Sequence, residues 1–112
     1  EQAGLYSADL SGAFLAGATL WGAYLQGANL QGANLQRANL IYANMEGVNL
    51  EGADLAYATI GAWLMDANLR GANLEGAVLK QCDLTGCNVT NEQLALAASI
   101  EETTLPDGQR VP

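Results

Sequence analysis

A larger apolar residue recurs at every fifth position along most of the chain. With that residue as the centre of a unit, centres fall at Leu5, Leu10, Leu15, Leu20, Leu25, Leu30, Leu35, Leu40, Met45, Leu50, Leu55 and Ile60. They resume at Leu64, Leu69, Leu74, Leu79, Leu84 and Val89. Ala stands two residues before each centre, replaced only by Val48, Cys82 and Cys87. Asn or Asp is the commonest residue just before the centre, and Gly dominates two residues after it. A helix would space its apolar residues at three and four, and a strand at two, so period five is neither. Within one unit the alternation is strand-like: the small residue and the centre point inward, and the positions beside the centre point out. The Gly-rich position then turns the chain, because Gly accepts backbone angles that other residues resist. Each unit predicts one short side and one corner, with successive turns stacked about 4.8 Å apart.

The stretch Ala28-Asn29-Leu30-Gln31-Gly32-Ala33-Asn34-Leu35-Gln36-Arg37-Ala38-Asn39-Leu40 states the unit in its purest form, Ala-Asn-Leu-x-x. The chain resembles the pentapeptide-repeat proteins, whose motif is roughly A(D/N)LXX, and the resemblance covers about residues 3–91. It implies an all-β solenoid: a right-handed quadrilateral β-helix of about 4.5 coils, each of four pentapeptides, at the strand spacing. Handedness and squareness belong to the resemblance; the period and the inward pairing belong to the residues. A hexapeptide solenoid would need period six, which the chain does not have.

One step breaks the count. From Ile60 to Leu64, through Gly61-Ala62-Trp63, a corner lacks one residue, and Gly61 is placed to absorb the tighter turn. Stacking four units per coil also sorts the surface into columns. On the second side the outward column reads Asp9, Asn29, Asn49, Asn68, Asn88. Asn side chains in register can hydrogen-bond along the axis, as in stacked β structures. Around the corner between the fourth and first sides, Trp21, Tyr24, Ile41, Tyr42 and Trp63 gather on one edge. Contiguous exposed apolar patches mark interaction surfaces, and aromatic residues are enriched in interface cores. These five residues are the candidate interaction surface.

The two ends read differently. The repeat begins at Ala3 with almost no preceding cap, and solenoids need caps over their terminal core and edges. At the other end Thr90-Asn91-Glu92-Gln93 has the form of a capping box. It predicts a short helix near 91–98 inside a C-terminal cap over 92–112, followed by a degenerate side and a Pro106-Asp107-Gly108 turn. That ending is similar to those of small cyanobacterial and plastid-type pentapeptide-repeat proteins.

Composition narrows the chemistry. Half of the residues are hydrophobic, yet only 6% are aromatic, which suits a narrow interior of Ala and Leu. Twelve acidic residues oppose four basic ones, for a net charge of −8. Arg37, Arg70, Lys80 and Arg110 are scattered, so no basic patch is available for nucleic acid. No run of 18 apolar residues occurs, which argues against membrane insertion. The start at Glu1 is compatible with a cytoplasmic protein, or with one exported to a periplasm or thylakoid lumen after upstream residues are removed.

The chain contains no His, the commonest general base, and its acids fall on different faces. No phosphate-cradling Gly-Lys-Ser/Thr motif is present. No catalytic residues, cofactor, metal site or small-molecule substrate are expected. Cys82 and Cys87 occupy inward small-residue positions on consecutive sides, as two buried thiols rather than a disulfide.

The leading expectation is a non-enzymatic structural or protein-interaction module, with an unidentified protein partner or a second copy meeting the aromatic edge. The alternative implied by the resemblance is an acidic DNA mimic that binds a type II topoisomerase, but a net −8 spread over all faces is few and poorly arranged for that. An aspartate at Leu30 or Leu35 should unfold the chain. Alanine at Gln31 or Gln36 should be nearly silent.

Overall fold

The computed structural model describes residues 4–112, so Ala3, the expected start of the repeat, lies outside the described residues. The described chain winds as a solenoid joined by single-residue parallel bridges rather than by extended strands. Gly4 pairs with Tyr24, Asp9 with Asn29, Phe14 with Asn34 and Thr19 with Asn39, so each coil has four sides and a 20-residue register. The register drops to 19 across the short step (Asn44 with Trp63, Thr59 with Val78). It rises to 21 where the C-terminal helix intervenes (Val78 with Ser99, Asp83 with Thr104).

A fixed set of backbone bonds makes this pitch. The Leu30 N–H donates to the Asn49 carbonyl of the next coil (2.7 Å), and the Asn49 N–H donates back to Ala28 (3.0 Å). At the corner the Gly32 N–H donates to the Glu51 carbonyl (2.9 Å), and the Ala33 N–H closes the turn onto Leu30 (3.0 Å). Outside the short step and α1, the residue two after a centre holds a left-handed φ, including non-glycine residues such as Ser7, Arg37, Tyr42, Tyr57, Asp66 and Gln81. Gly is common there because an L side chain in that conformation costs about 1–2 kcal/mol.

Asn serves the outward position through both ends of its amide. Its Oδ1 accepts the N–H two residues on, as when Gln31 donates to Asn29 (3.0 Å) and Glu51 to Asn49 (3.0 Å). Its Nδ2 reaches the coil beside it: Asn49 donates to Asn29 (3.3 Å), Asn68 to Asn49 (3.3 Å) and Asn88 to Asn68 (2.8 Å). The expected ladder therefore runs from Asn29 to Asn88; Asp9 turns its carboxylate to Ser11 instead.

Inside, Ala23 to Val89 and Leu94 form one apolar core, with Leu25 through Leu84 almost fully buried. The centres of the first coil, Leu5, Leu10, Leu15 and Leu20, are only half-buried. At the other end helix α1 (Asn91–Ala95) begins on a complete capping box between Thr90 and Gln93. The Gln93 amide also donates to the Leu69 carbonyl (2.6 Å) and the Ala72 carbonyl (3.0 Å), tying α1 to the coil behind it. α1 stops short of the predicted residue 98 because the coil reclaims the backbone: Gly76 donates to Leu96 (2.9 Å) and Ala98 to Ala77 (2.8 Å).

Cys82 and Cys87 are buried free thiols, as their inward positions predict. Burial pushes the Cys82 thiol above its ordinary 9.0 to about 12, although the Ala62 and Gly61 amides that face it act in the opposite direction. The Cys87 thiol is also raised by burial, from a less enclosed site.

Candidate functional site

At the corner of Gly61 the regular bonding fails. Elsewhere from Gln26 to Thr85, the carbonyl after each centre accepts the corner N–H of the preceding coil. Tyr42 donates to Gly61 (3.1 Å), Tyr57 to Glu75 (2.8 Å) and Asp66 to Thr85 (2.9 Å). The residue lost after Gly61 is the one whose N–H would reach Lys80. Among the described residues nothing donates to the Lys80 carbonyl, which lies 3.4 Å from where a Gly61 Cβ would stand. Gly61 itself sits at φ +41°, and a side chain there would meet Lys80 and Ile41. The missing residue thus leaves a notch instead of a filled corner.

That notch is a cavity of about 320 Å³ lined by Ile41, Tyr42, Thr59, Gly61, Trp63, Val78, Lys80 and Gln81. Three of the five residues singled out in the sequence, Ile41, Tyr42 and Trp63, form its walls. Trp21 joins them from the coil before, packed edge-on to Tyr42 with ring centres 5.7 Å apart and planes at 80°. Tyr24 stands in the same outward column as Trp63, with Asn44 between them. Its ring stacks instead on Tyr6, at 5.7 Å and 9°. The five residues therefore share one edge but divide into a notch group and a tyrosine stack. Ile41 is half-buried, while Trp21 (49%), Tyr42 (55%) and Trp63 (45%) remain open to solvent.

Tyr6, Thr59, Val78, Lys80 and Gln81 complete this edge and were not evident as site residues from the sequence pattern. Lys80 could have been found there, since it falls in the corner column of Trp21, Ile41 and Gly61. Its exposed ammonium has no ion-pair partner among the described residues, where the one salt bridge joins Arg110 to Glu102 at 3.6 Å. The other large exposed apolar groups lie elsewhere. Phe14 (91% exposed) is on the third side, and Tyr57 lies under the Arg37 guanidinium, 5.3 Å from its ring centre. No group of His, Cys, Asp or Glu among the described residues is placed to hold a metal ion. The arrangement can bind by contact, with flat aromatic faces, one apolar cavity, a lone cation and an unpaired backbone acceptor.

The family model for pentapeptide repeats matches eight copies, over residues 3–40, 33–60 and 62–94. The break between the last two segments coincides with the short step. A comparison with curated proteins finds no match. Among solved structures, the chain is similar to alr5209, a pentapeptide repeat protein from Nostoc PCC 7120: 42% identity, TM-score 0.67, 68% of this chain and 64% of that one. It is also similar to Rfr23 from Cyanothece 51142 (39%, TM-score 0.51, 79% of this chain and 60% of that one). HetL, a protein involved in heterocyst differentiation regulation in Nostoc PCC 7120, aligns at 35% identity and TM-score 0.46, over 96% of this chain and 48% of its own. In each case the chain spans less than two thirds of the relative's length.

Proposed function

The chain belongs to the pentapeptide-repeat family, and on that premise we propose that it is a non-enzymatic interaction module that meets a protein partner along the Trp21–Trp63 edge. The coil, on this reading, carries the family's right-handed four-sided winding, which makes the edge a rigid straight ruler. The observation that carries the proposal is the gathering of Tyr6, Trp21, Tyr24, Tyr42 and Trp63 as exposed rings along one edge, where Phe14 and Tyr57 stand apart from them. Rigid aromatic side chains supply contact area at low entropic cost, and they dominate the energetic centres of interfaces. The non-enzymatic part rests on an interior filled by Ala and Leu and on the absence of any His from the chain.

A topoisomerase-binding DNA mimic has less support. The prism is 32 Å long, and B-DNA of that length carries about 19 charges at one per 1.7 Å. The chain has a net −8, distributed over all sides. No described helix is long and apolar enough to cross a membrane.

Affinity capture on immobilised chain, beside a Trp21→Ser/Trp63→Ser variant with the same melting curve, tests the reading. A partner held by the wild type and released by the variant is the expected result. Identical capture by both proteins would refute the edge as the contact.

A further inference from the structure

We propose that the notch at Gly61 receives an extended segment of a protein partner in which a large apolar side chain stands beside an Asp or Glu. The proposal rests on the interaction reading above and deepens it to one pocket and one ligand chemistry. Three features converge within a single residue's reach. The Lys80 carbonyl alone among the corner carbonyls from Gln26 to Thr85 accepts no protein hydrogen bond, and an approaching peptide N–H is the group it lacks. A backbone carbonyl without a protein partner is free to accept from another chain. Beside it the cavity of about 320 Å³ is walled by Ile41, Tyr42, Trp63 and Val78, with room for one bulky apolar side chain. Lys80 also lines this cavity, and it is an exposed cation with no ion-pair partner among the described residues, on a chain of net charge −8.

Charge decides between acidic and basic segments. A carboxylate next to the apolar anchor would pair with Lys80 at the rim of a low-dielectric cavity, where such pairs hold more firmly than in open solvent. Glu101 occupies the same corner column one coil further on, since Gln81 donates to its carbonyl (3.0 Å), but it makes no ion pair with Lys80. As the column neighbour of Lys80 its carboxylate would oppose an incoming acidic group. A segment of peptide, rather than a small acid, is favoured because the unpaired acceptor belongs to the backbone register. The incoming N–H takes the place of the corner N–H that the short step removed.

Panning a phage-displayed random-peptide library on the intact chain tests this, followed by fluorescence polarisation with the enriched peptide made synthetically with both ends blocked. Enriched peptides should carry a large apolar residue adjacent to Asp or Glu. Lys80→Glu should weaken the synthetic peptide at least about tenfold. Inserting one Gly between Gly61 and Ala62, which restores the corner and its donor to Lys80, should abolish binding while keeping or raising the melting temperature. Glu101→Gln should tighten it. Failure of any peptide to enrich, enrichment without acidic residues, or affinity unchanged in both notch variants would overturn the proposal. Peptides that ignore the notch variants but are lost with Trp21→Ser would overturn it too, while leaving the edge as the contact.

Discussion

The coils through Ala28–Leu40 and the corner at Gly61 are built from the same unit, and one missing residue separates them. Between Ala28 and Leu40 the corner N–H groups of Gly32 and Arg37 find the carbonyls of Glu51 and Ala56 in the next coil, and every inward position is filled by Ala or Leu. Nothing is left over with which to recognise another molecule. At Gly61 the same winding continues, but the corner donor is gone, a carbonyl is unpaired and an apolar cavity opens beside a lysine. On the proposed reading, capacity to bind enters where the regularity is interrupted.

The largest effect that could break this contrast lies in the core. Leu35 is fully buried, whereas Leu10 in the first coil is only half-buried. Leu35→Asp places an unpaired charge among apolar side chains and should cost about 4 kcal/mol or more, enough to abolish a cooperative melt followed by circular dichroism. Leu10→Asp should leave a folded protein with a lower melting temperature. Equal losses at the two sites would show that the regular coils do not hold the fold more firmly than the first coil does.

One glycine inserted at two places gives the next largest contrast, with opposite signs. After Gly61 it supplies the missing corner residue and its N–H for Lys80, for a gain of about 1 kcal/mol, close to the net worth of one hydrogen bond. After Gly32 it adds a residue to a corner already satisfied, and must bulge or slip the inward register, for a loss of about 1–3 kcal/mol. Urea midpoints for the two insertions would measure both. A loss at Gly61 comparable to that at Gly32 would mean the short corner is no defect.

The contrast also explains what could be read from the chain beforehand. Period five with its inward Ala–Leu pairing is a strong local signal, so the coil, the Asn ladder and the capping box of α1 were all legible. The grouping of Trp21, Ile41, Tyr42 and Trp63 followed from counting four units per coil, and the structure places these residues together. What the count missed is non-local. Tyr24 stacks on Tyr6, a pairing across two different columns that no single column predicts. Lys80 lies on the notch only because a residue nineteen positions earlier begins a shortened corner. Helix α1 ends early because the Gly76 N–H and the Ala77 carbonyl of the coil behind take the Leu96 carbonyl and the Ala98 N–H.

Cys82 carries a smaller test of the same corner. Its thiol is held neutral by burial, with a folded pKa near 12 against an ordinary 9.0. A group with a raised folded pKa contributes stability that is full below pH 9 and is lost as pH rises toward 12. Stability should therefore fall by about 1.4 kcal/mol per pH unit across that window for this thiol. The Cys82→Ala variant should show a shallower decline between pH 9 and 10.5 in denaturant titrations, with the share of Cys87 remaining. An unchanged slope would place the Cys82 sulfur in contact with solvent.

The smallest contrast lies within the regular coils themselves. From the repeat alone Gln31 and Gln36 are equivalent outward residues, and alanine at either should be silent. The structure separates them: the Gln36 amide donates to the Asp54 carboxylate of the next coil, whereas the Gln31 side chain has no recorded partner among the described residues. Gln36→Ala should therefore cost about 1 kcal/mol, the worth of one hydrogen bond to a charged group near the surface, and Gln31→Ala less than about 0.5 kcal/mol. The Gln36→Ala loss should shrink when Asp54 is already Ala, because the two act as one pair. If the double variant instead shows simple additivity, the Gln36–Asp54 bond contributes nothing to stability. The outward face of the regular coils would then be as uniform energetically as its sequence.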